Sequence, residues 1–264
     1  MYAFTYHQPK NVAAAVADLA AEDAKLLAGG QTLLPTMKQR LAAPASIVDL
    51  SKIAELSGVS REGDSIVIGA MTRHVDVAAS AAVQQAIPAL AALAATIGDP
   101  HVRNRGTIGG SLANNDPAAD YPAAVLALGA TIVTNKREIA AEAFFKGLFE
   151  TSLEPGEIIL KVRFPIPQKA AYEKFRNPAS RFALVGVFVA KTPAGVRVAV
   201  TGAGAAGVFR ATTLESALAG KFAPAALDGA KIPAGGLNTD MHADAAYRAH
   251  LIVVLAKRAV AAAG

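Results

Sequence analysis

The chain of 264 residues has no cysteine and no tryptophan. The first absence excludes disulfides, zinc–thiolate sites, a thiol nucleophile and any conventional iron–sulfur cluster carried by this chain. The second, with aromatic residues at only 6%, leaves no stacking platform for single-stranded nucleic acid. Charged residues are sparse at 18%, and the 26 Lys and Arg are scattered among 21 Asp and Glu without a basic tract. The formal charge of +5 therefore fits an anionic cofactor or an acidic partner, and no nucleic-acid partner is expected. No apolar run reaches the roughly 18 residues of a membrane span, and the first residues lack a signal-peptide pattern, so a cytoplasmic protein with no membrane span is expected. The histidines His7, His74, His101, His242 and His250 show no metal-ligand spacing and no G-x-S-x-G elbow appears, so neither a metal site nor a side-chain nucleophile is expected.

Apolar residues, many of them alanine, make up 53% of the chain, enough to bury the cores of two domains. Val12, Ala15, Val16 and Leu19 recur at helical spacing within Asn11 to Ala21, and Lys25 to Ala28 reads as a short buried strand. Thr32 is placed to cap a helix through Met37, Lys38 and Leu41, and Ser46 to Leu50 reads as the next strand, a unit suited to a parallel α/β layer. Ile66 to Ala70 predicts a strand and Thr72 the cap of a helix through His74 and Val77. Val83 to Ile97 predicts a longer helix with Pro88 in its first turn, and Pro117 the start of a helix through Tyr121 and Leu128. Ala130 to Thr134 and Ile158 to Phe164 resemble strands. After Pro165-Ile166-Pro167 the pattern changes: alternation over residues 171–176, 183–191 and 196–201, with a turn at Thr192 to Gly195, predicts antiparallel strands, and Ala243 to Ala262 a final helix. The expected domains are 1–167 and 168–264.

Two glycine loops carry the chemistry. In Leu27-Ala28-Gly29-Gly30-Gln31-Thr32-Leu33 a glycine pair follows an apolar run and precedes a helical segment, so main-chain N–H groups can approach an anion without a Cβ in the way. About 75 residues later, Gly106-Thr107-Ile108-Gly109-Gly110-Ser111 has the same character, and a side chain at Gly30 or Gly109 is expected to block the path of a diphosphate held between them. One Gly-Gly alone reads better as an ordinary strand-to-helix turn; two such loops point to a dinucleotide. Asp116 and Asp120 follow the second loop four residues apart. Asp116 reads as an N-cap or a ligand, and Asp120 as a ligand for a ribose or ribityl hydroxyl.

Gly202-Ala203-Gly204-Ala205-Ala206-Gly207 satisfies G-x-G-x-x-G literally. The strands before it alternate as antiparallel hairpins do, and only 57 residues follow Gly207, too few for the remaining units of a Rossmann fold. It reads as a turn or a contact between domains, with a nucleotide site as the alternative.

The order and separation of the two loops, with Lys38, Thr107 to Ala113, Asp116 to Pro122, Tyr172-Glu173-Lys174-Phe175 and Ala183 to Val187, closely resemble the FAD-binding medium subunit of molybdenum hydroxylases, the xanthine dehydrogenase and aerobic carbon monoxide dehydrogenase family. The resemblance spans essentially the whole chain. It implies an α+β protein: a two-lobed α/β FAD-binding domain (PCMH-type), then a small C-terminal domain with an antiparallel sheet and helices. Leu27 to Leu33, Lys38, Gly106 to Ser111 and Asp116 would hold FAD, with Asp120 on a hydroxyl and Ile159 or Leu160, and Lys174, as weaker contacts. The molybdenum cofactor and two-iron two-sulfur clusters would lie in a large and a small partner subunit of a heterohexamer, which fits a chain without cysteine. The implied function is an oxidoreductase subunit that takes electrons from those clusters and passes them to an external acceptor. The alternatives are a self-contained flavin or nicotinamide-dependent oxidoreductase, against which stands the lack of a catalytic acid or base, and an assembly or nucleic-acid-binding module.

Overall fold

The computed structural model describes all residues, Met1–Gly264. The first lobe is a three-stranded parallel sheet in the order β1-β3-β2, with β1 at Thr5–His7, β2 at Ala24–Leu27 and β3 at Ser46–Asp49. Helix α1 (Val12–Leu19) begins at Asn11, whose side chain accepts the Ala14 N–H. Helix α2 (Leu33–Lys38) is short, because Arg40 adopts φ +62° and turns the chain before Leu41. Thr32 occupies the N-cap position but makes no side-chain capping bond, so the expected hydroxyl cap is absent. All four residues of β3 are buried, as expected of a central parallel strand.

The second lobe is a five-stranded sheet in which every pairing is antiparallel, in the order β4-β5-β10-β6-β7. Its strands are β4 (Val59–Glu62), β5 (Ser65–Gly69), β6 (Thr131–Thr134), β7 (Glu138–Ala140) and β10 (Ile159–Pro165), and β8 (Phe145–Gly147) and β9 (Glu150–Thr151) form a separate ribbon. Between β5 and β6 run α3 (His74–Ala79), α4 (Ala81–Ala86), α5 (Pro88–Ala95), α6 (Pro100–Arg103), α7 (Ile108–Asn114) and α8 (Tyr121–Leu128), and α9 (Ala141–Phe144) follows β7. The predicted helix over 83–97 is two helices. Proline removes an N–H and disfavours helix in the residue before it, so Ile87 breaks the run at φ −139° and Pro88 opens α5. Thr72 does not cap α3: its hydroxyl bonds the N–H and carbonyl of Gly58, and Arg73 is the N-cap. Pro117 does not begin α8 either. Residues 117–120 are a turn in which Asp116 accepts the Ala118 N–H, and the helix opens at Tyr121 with Pro122 in its first turn.

The third sheet, β11-β12-β13-β14, is antiparallel (Lys169–Arg176, Ala183–Thr192, Gly195–Thr201, Phe209–Arg210). Residues Ala183 to Ala190 of β12 are all buried, because both faces of this sheet are covered. Phe188, Ala190 and Ala199 join the core of α5 and α8, whereas Val187, Val189, Val198 and Val200 join that of α10 (Thr212–Ala219) and α11 (Ala245–Ala262). The second lobe and the C-terminal domain therefore share one core. Gly202 to Gly207 forms a turn that bridges to Leu237 and leads into β14, with no helix directly after it, so it is no nucleotide fingerprint.

Candidate functional site

A cleft of about 730 Å³ opens between the lobes and the C-terminal domain, within the roughly 300–1,000 Å³ of cofactor sites. Both glycine loops line it: Ala28 to Leu33 from the first lobe, and Gly106, Thr107 and Gly109 to Ser111 from the second. The loops lie back to back. A Cβ on Gly29 would sit 2.2 Å from the Arg105 carbonyl oxygen and 2.7 Å from Gly106 Cα, so only glycine permits this approach. Gly30 adopts φ +72°, a conformation other residues reach only with strain.

The loops differ in what they offer an anion. In the first, the consecutive main-chain N–H groups of Gly29, Gly30, Gln31, Thr32 and Leu33 donate to no protein acceptor. In the second, Gly106 donates to Val102, Ile108 to Thr72, Gly109 to Ala70, and Ser111 to the Thr107 carbonyl, while Gly110 donates to the Thr107 hydroxyl. The second loop therefore offers an anion fewer free main-chain N–H groups than the first. Ile108 and Gly109 tie the start of α7 to the connection between β5 and α3, and only the Thr107 N–H and the Ser111 hydroxyl of this stretch are left without a protein partner. Gly109 is required for the same reason, since a Cβ there would lie 2.6 Å from the Ala70 Cβ and 2.8 Å from its carbonyl oxygen, not in a ligand's path.

Asp116 and Asp120 also line the cleft. Asp116 uses one carboxylate oxygen to brace its own turn. Asp120 is 4% exposed and is held by the C-terminal domain: Tyr172 donates to Oδ1, and Lys174 Nζ lies 3.0 Å from Oδ2. Burial pushes the Asp120 carboxyl up, opposed by the Lys174 charge and the Tyr172 hydrogen bond. Glu157, at the cleft edge, goes the other way. The Arg137 guanidinium beside it, the Glu154 N–H and the Thr134 hydroxyl hold its carboxyl at about 2.

Leu27, Lys38, Ile108, Leu160 and Lys174 do not line the cleft. Leu27 lies behind Gly30, Lys38 is exposed on the last turn of α2, and Ile108 is wholly buried in the second lobe's core. Leu160 packs on the core around Val48 and Ile53, while its neighbour Ile159 lines the cleft. Lys174 acts on Asp120. The structure adds His74, Met71, Ile97, Phe149, Arg181 and Phe182 to the lining. His74 is brought beneath the second loop by the bridge between Arg73 and Thr107 and by its N–H to Gly106. Burial, and then the charge of Arg103, lowers its pKa to about 4, so the ring is neutral at pH 7. No group of His, Asp and Glu could hold a metal ion.

Five unpartnered N–H donors in a row, on a loop that opens into a largely apolar cleft, suit a diphosphate carrying two flat rings. Residues 2–167 match the family described as the FAD binding domain in molybdopterin dehydrogenase. The chain is 38% identical to the carbon monoxide dehydrogenase medium chain of Hydrogenophaga pseudoflava, covering 98% of this chain and 96% of that one. It is 36% identical to the nicotine 6-hydroxylase medium subunit of Paenarthrobacter nicotinovorans, covering 92% and 90%. A solved structure of carbon monoxide dehydrogenase from H. pseudoflava superposes with a TM-score of 0.89 at 39% identity over 99% of this chain and 97% of that chain. An FAD-type cleft, a matching domain and near full-length similarity agree: the chain belongs to the family of FAD-binding medium subunits of molybdenum hydroxylases.

Proposed function

We propose that this chain is the electron-transferring subunit of a heteromeric molybdenum hydroxylase, receiving electrons from the iron–sulfur clusters of a small subunit and delivering them to an external acceptor. The observation that carries this reading is the first glycine loop, whose row of free N–H groups would hold the FAD diphosphate. Bound FAD supplies a ring that takes up and releases electrons one or two at a time. The chain's own task is to bind and orient it. The N–H groups of Gly29 to Leu33 would hold the diphosphate, the apolar lining of Met71, Ile97, Phe149 and Phe182 would keep water from the flavin, and Asp120 would offer an acceptor to a hydroxyl. The chain has no cysteine to bind a cluster, and the relatives' names range from carbon monoxide to nicotine, which supports placing the oxidised substrate on a partner. The reading includes a large molybdenum-cofactor subunit, a heterohexameric assembly, a cytoplasmic location and a domain boundary at 167. No helix is long and apolar enough to cross a membrane.

The test is to purify the chain from its host with whatever accompanies it, record the absorption spectrum and identify the co-purifying chains by mass. Flavin bands overlaid by iron–sulfur absorbance, with a large and a small partner, are expected. Flavin on a chain that purifies alone would replace this reading with a self-contained oxidoreductase, and no flavin even after adding FAD would overturn it.

A further inference from the structure

The wall of the cleft at residues 116–120 has little of its own to hold it. Apart from the Asp116 turn and the Asp120 carbonyl, which accepts the Ala123 N–H at the start of α8, its polar anchors come from the C-terminal domain. The Gly202 N–H donates to the Pro117 carbonyl at 2.8 Å, and the Thr201 hydroxyl lies 2.6 Å from the Ala119 carbonyl and 3.1 Å from that of Pro117. Tyr172 and Lys174 take the two oxygens of Asp120, and Lys174 also reaches the Thr96 carbonyl at 3.3 Å, next to Ile97 and Gly98 of the cleft lining. Lys174 is 5% exposed, so its charge has been taken out of water to make these contacts. Gly202 is fitted to this role: it adopts φ +81°, and a Cβ there would fall 2.3 Å from the Ala183 carbonyl oxygen. The apparent nucleotide fingerprint thus begins at the residue where β13 is tied to the cofactor cleft.

We propose that Lys174, Tyr172 and Thr201 are positioning residues that set the 116–120 wall, so that flavin binding and the seating of the C-terminal domain are one coupled equilibrium. This rests on the FAD reading above. It follows that residues 2–167, although they match the FAD-binding family by themselves, do not contain the whole determinant of affinity. Coupling is reciprocal: if the domain tightens the flavin, the flavin tightens the domain.

The test uses the full chain, stripped of flavin and titrated with FAD by quenching of flavin fluorescence. Lys174→Met and the near-isosteric Thr201→Val are each expected to weaken FAD binding about tenfold or more with the circular dichroism spectrum unchanged. Lys257→Met, at an exposed pair with Asp228 elsewhere in the same domain, is expected to bind like the wild type. In a double-mutant cycle, Asp120→Asn with Lys174→Met should lose less than the sum of the single changes. FAD should also slow hydrogen exchange of the β11 and β13 amides in the wild type. Wild-type affinity in both folded variants, or unchanged exchange on adding FAD, would overturn the coupling. Failure of the wild type itself to bind FAD would instead overturn the functional reading. If Lys174→Met fails to fold, Thr201→Val and the exchange measurement decide.

Discussion

Gly29 and Gly30 are adjacent yet serve different ends. Gly29 lets the Arg105 carbonyl approach where a Cβ would stand 2.2 Å away, and Gly30 supplies a positive φ at the turn into α2. Gly29→Ala is expected to force the two loops apart, costing roughly 1–3 kcal/mol and the ability to retain FAD, as read by a thermal melt and by flavin content after gel filtration. Glu157 makes a pH prediction. Its folded pKa of about 2 lies below the ordinary 4.5, so its contribution to stability is complete above the ordinary value and is lost as pH falls through about 2. Glu157→Gln should therefore cost about 1–3 kcal/mol at neutral pH, and chemical denaturation as a function of pH should show the gap to wild type closing in acid. Among these residues the first loop was legible in the sequence, because a second glycine loop before a helix makes a dinucleotide site the better reading of the pair. The bonds that take up the Ile108 and Gly109 N–H groups were not, since nothing in Gly106 to Ser111 says that Thr72 and Ala70 lie within reach.

Helix α11 shows how an element is fastened. Its apolar face buries Leu251, Ile252, Leu255 and Ala259 against the third sheet, and the same face carries the buried Arg248. That guanidinium donates to the carbonyls of Leu184 and Gly202 and pairs with Asp240. Arg248→Met should strand two buried carbonyls and cost about 2–4 kcal/mol. The exposed pair that Lys257 of the same helix makes with Asp228 should contribute less than about 1 kcal/mol, and urea denaturation of Arg248→Met and Lys257→Met separates the cases. The span of α11 could be read from its period, and Asp244 caps it as such residues do. The division of the 83–97 helix at Ile87 could not, because a proline five residues after Val83 fits one helix or two until packing chooses.

At the scale of the whole molecule, three sheets are joined so that the cleft lies where none of them alone could build it. A ligand that binds only this arrangement must stabilise it. Saturation with FAD at about a hundredfold its Kd should add roughly 2.7 kcal/mol and raise Tm by about 5–10 °C. A melt unmoved by FAD would mean that the cleft does not hold it. Most of the architecture was foreseen: the parallel first lobe, the antiparallel third sheet and the change of pattern near Pro167. The second lobe's sheet proved antiparallel throughout, a pairing that strand composition does not specify.

The sequence by itself determined the element types, the first anion-binding loop, the absence of cluster ligands and the family, since each depends on local spacing or on which residues are missing. Only the tertiary structure decided which N–H groups remain free, that Lys174 acts on Asp120 rather than lining the cleft, and that Gly202 serves as a tether. Those outcomes depend on contacts between residues far apart in the chain, such as Ile108 with Thr72, Lys174 with Asp120 and Thr201 with Ala119. Such contacts form only when sheets and helices have packed, and no local pattern encodes the partner that a donor will find.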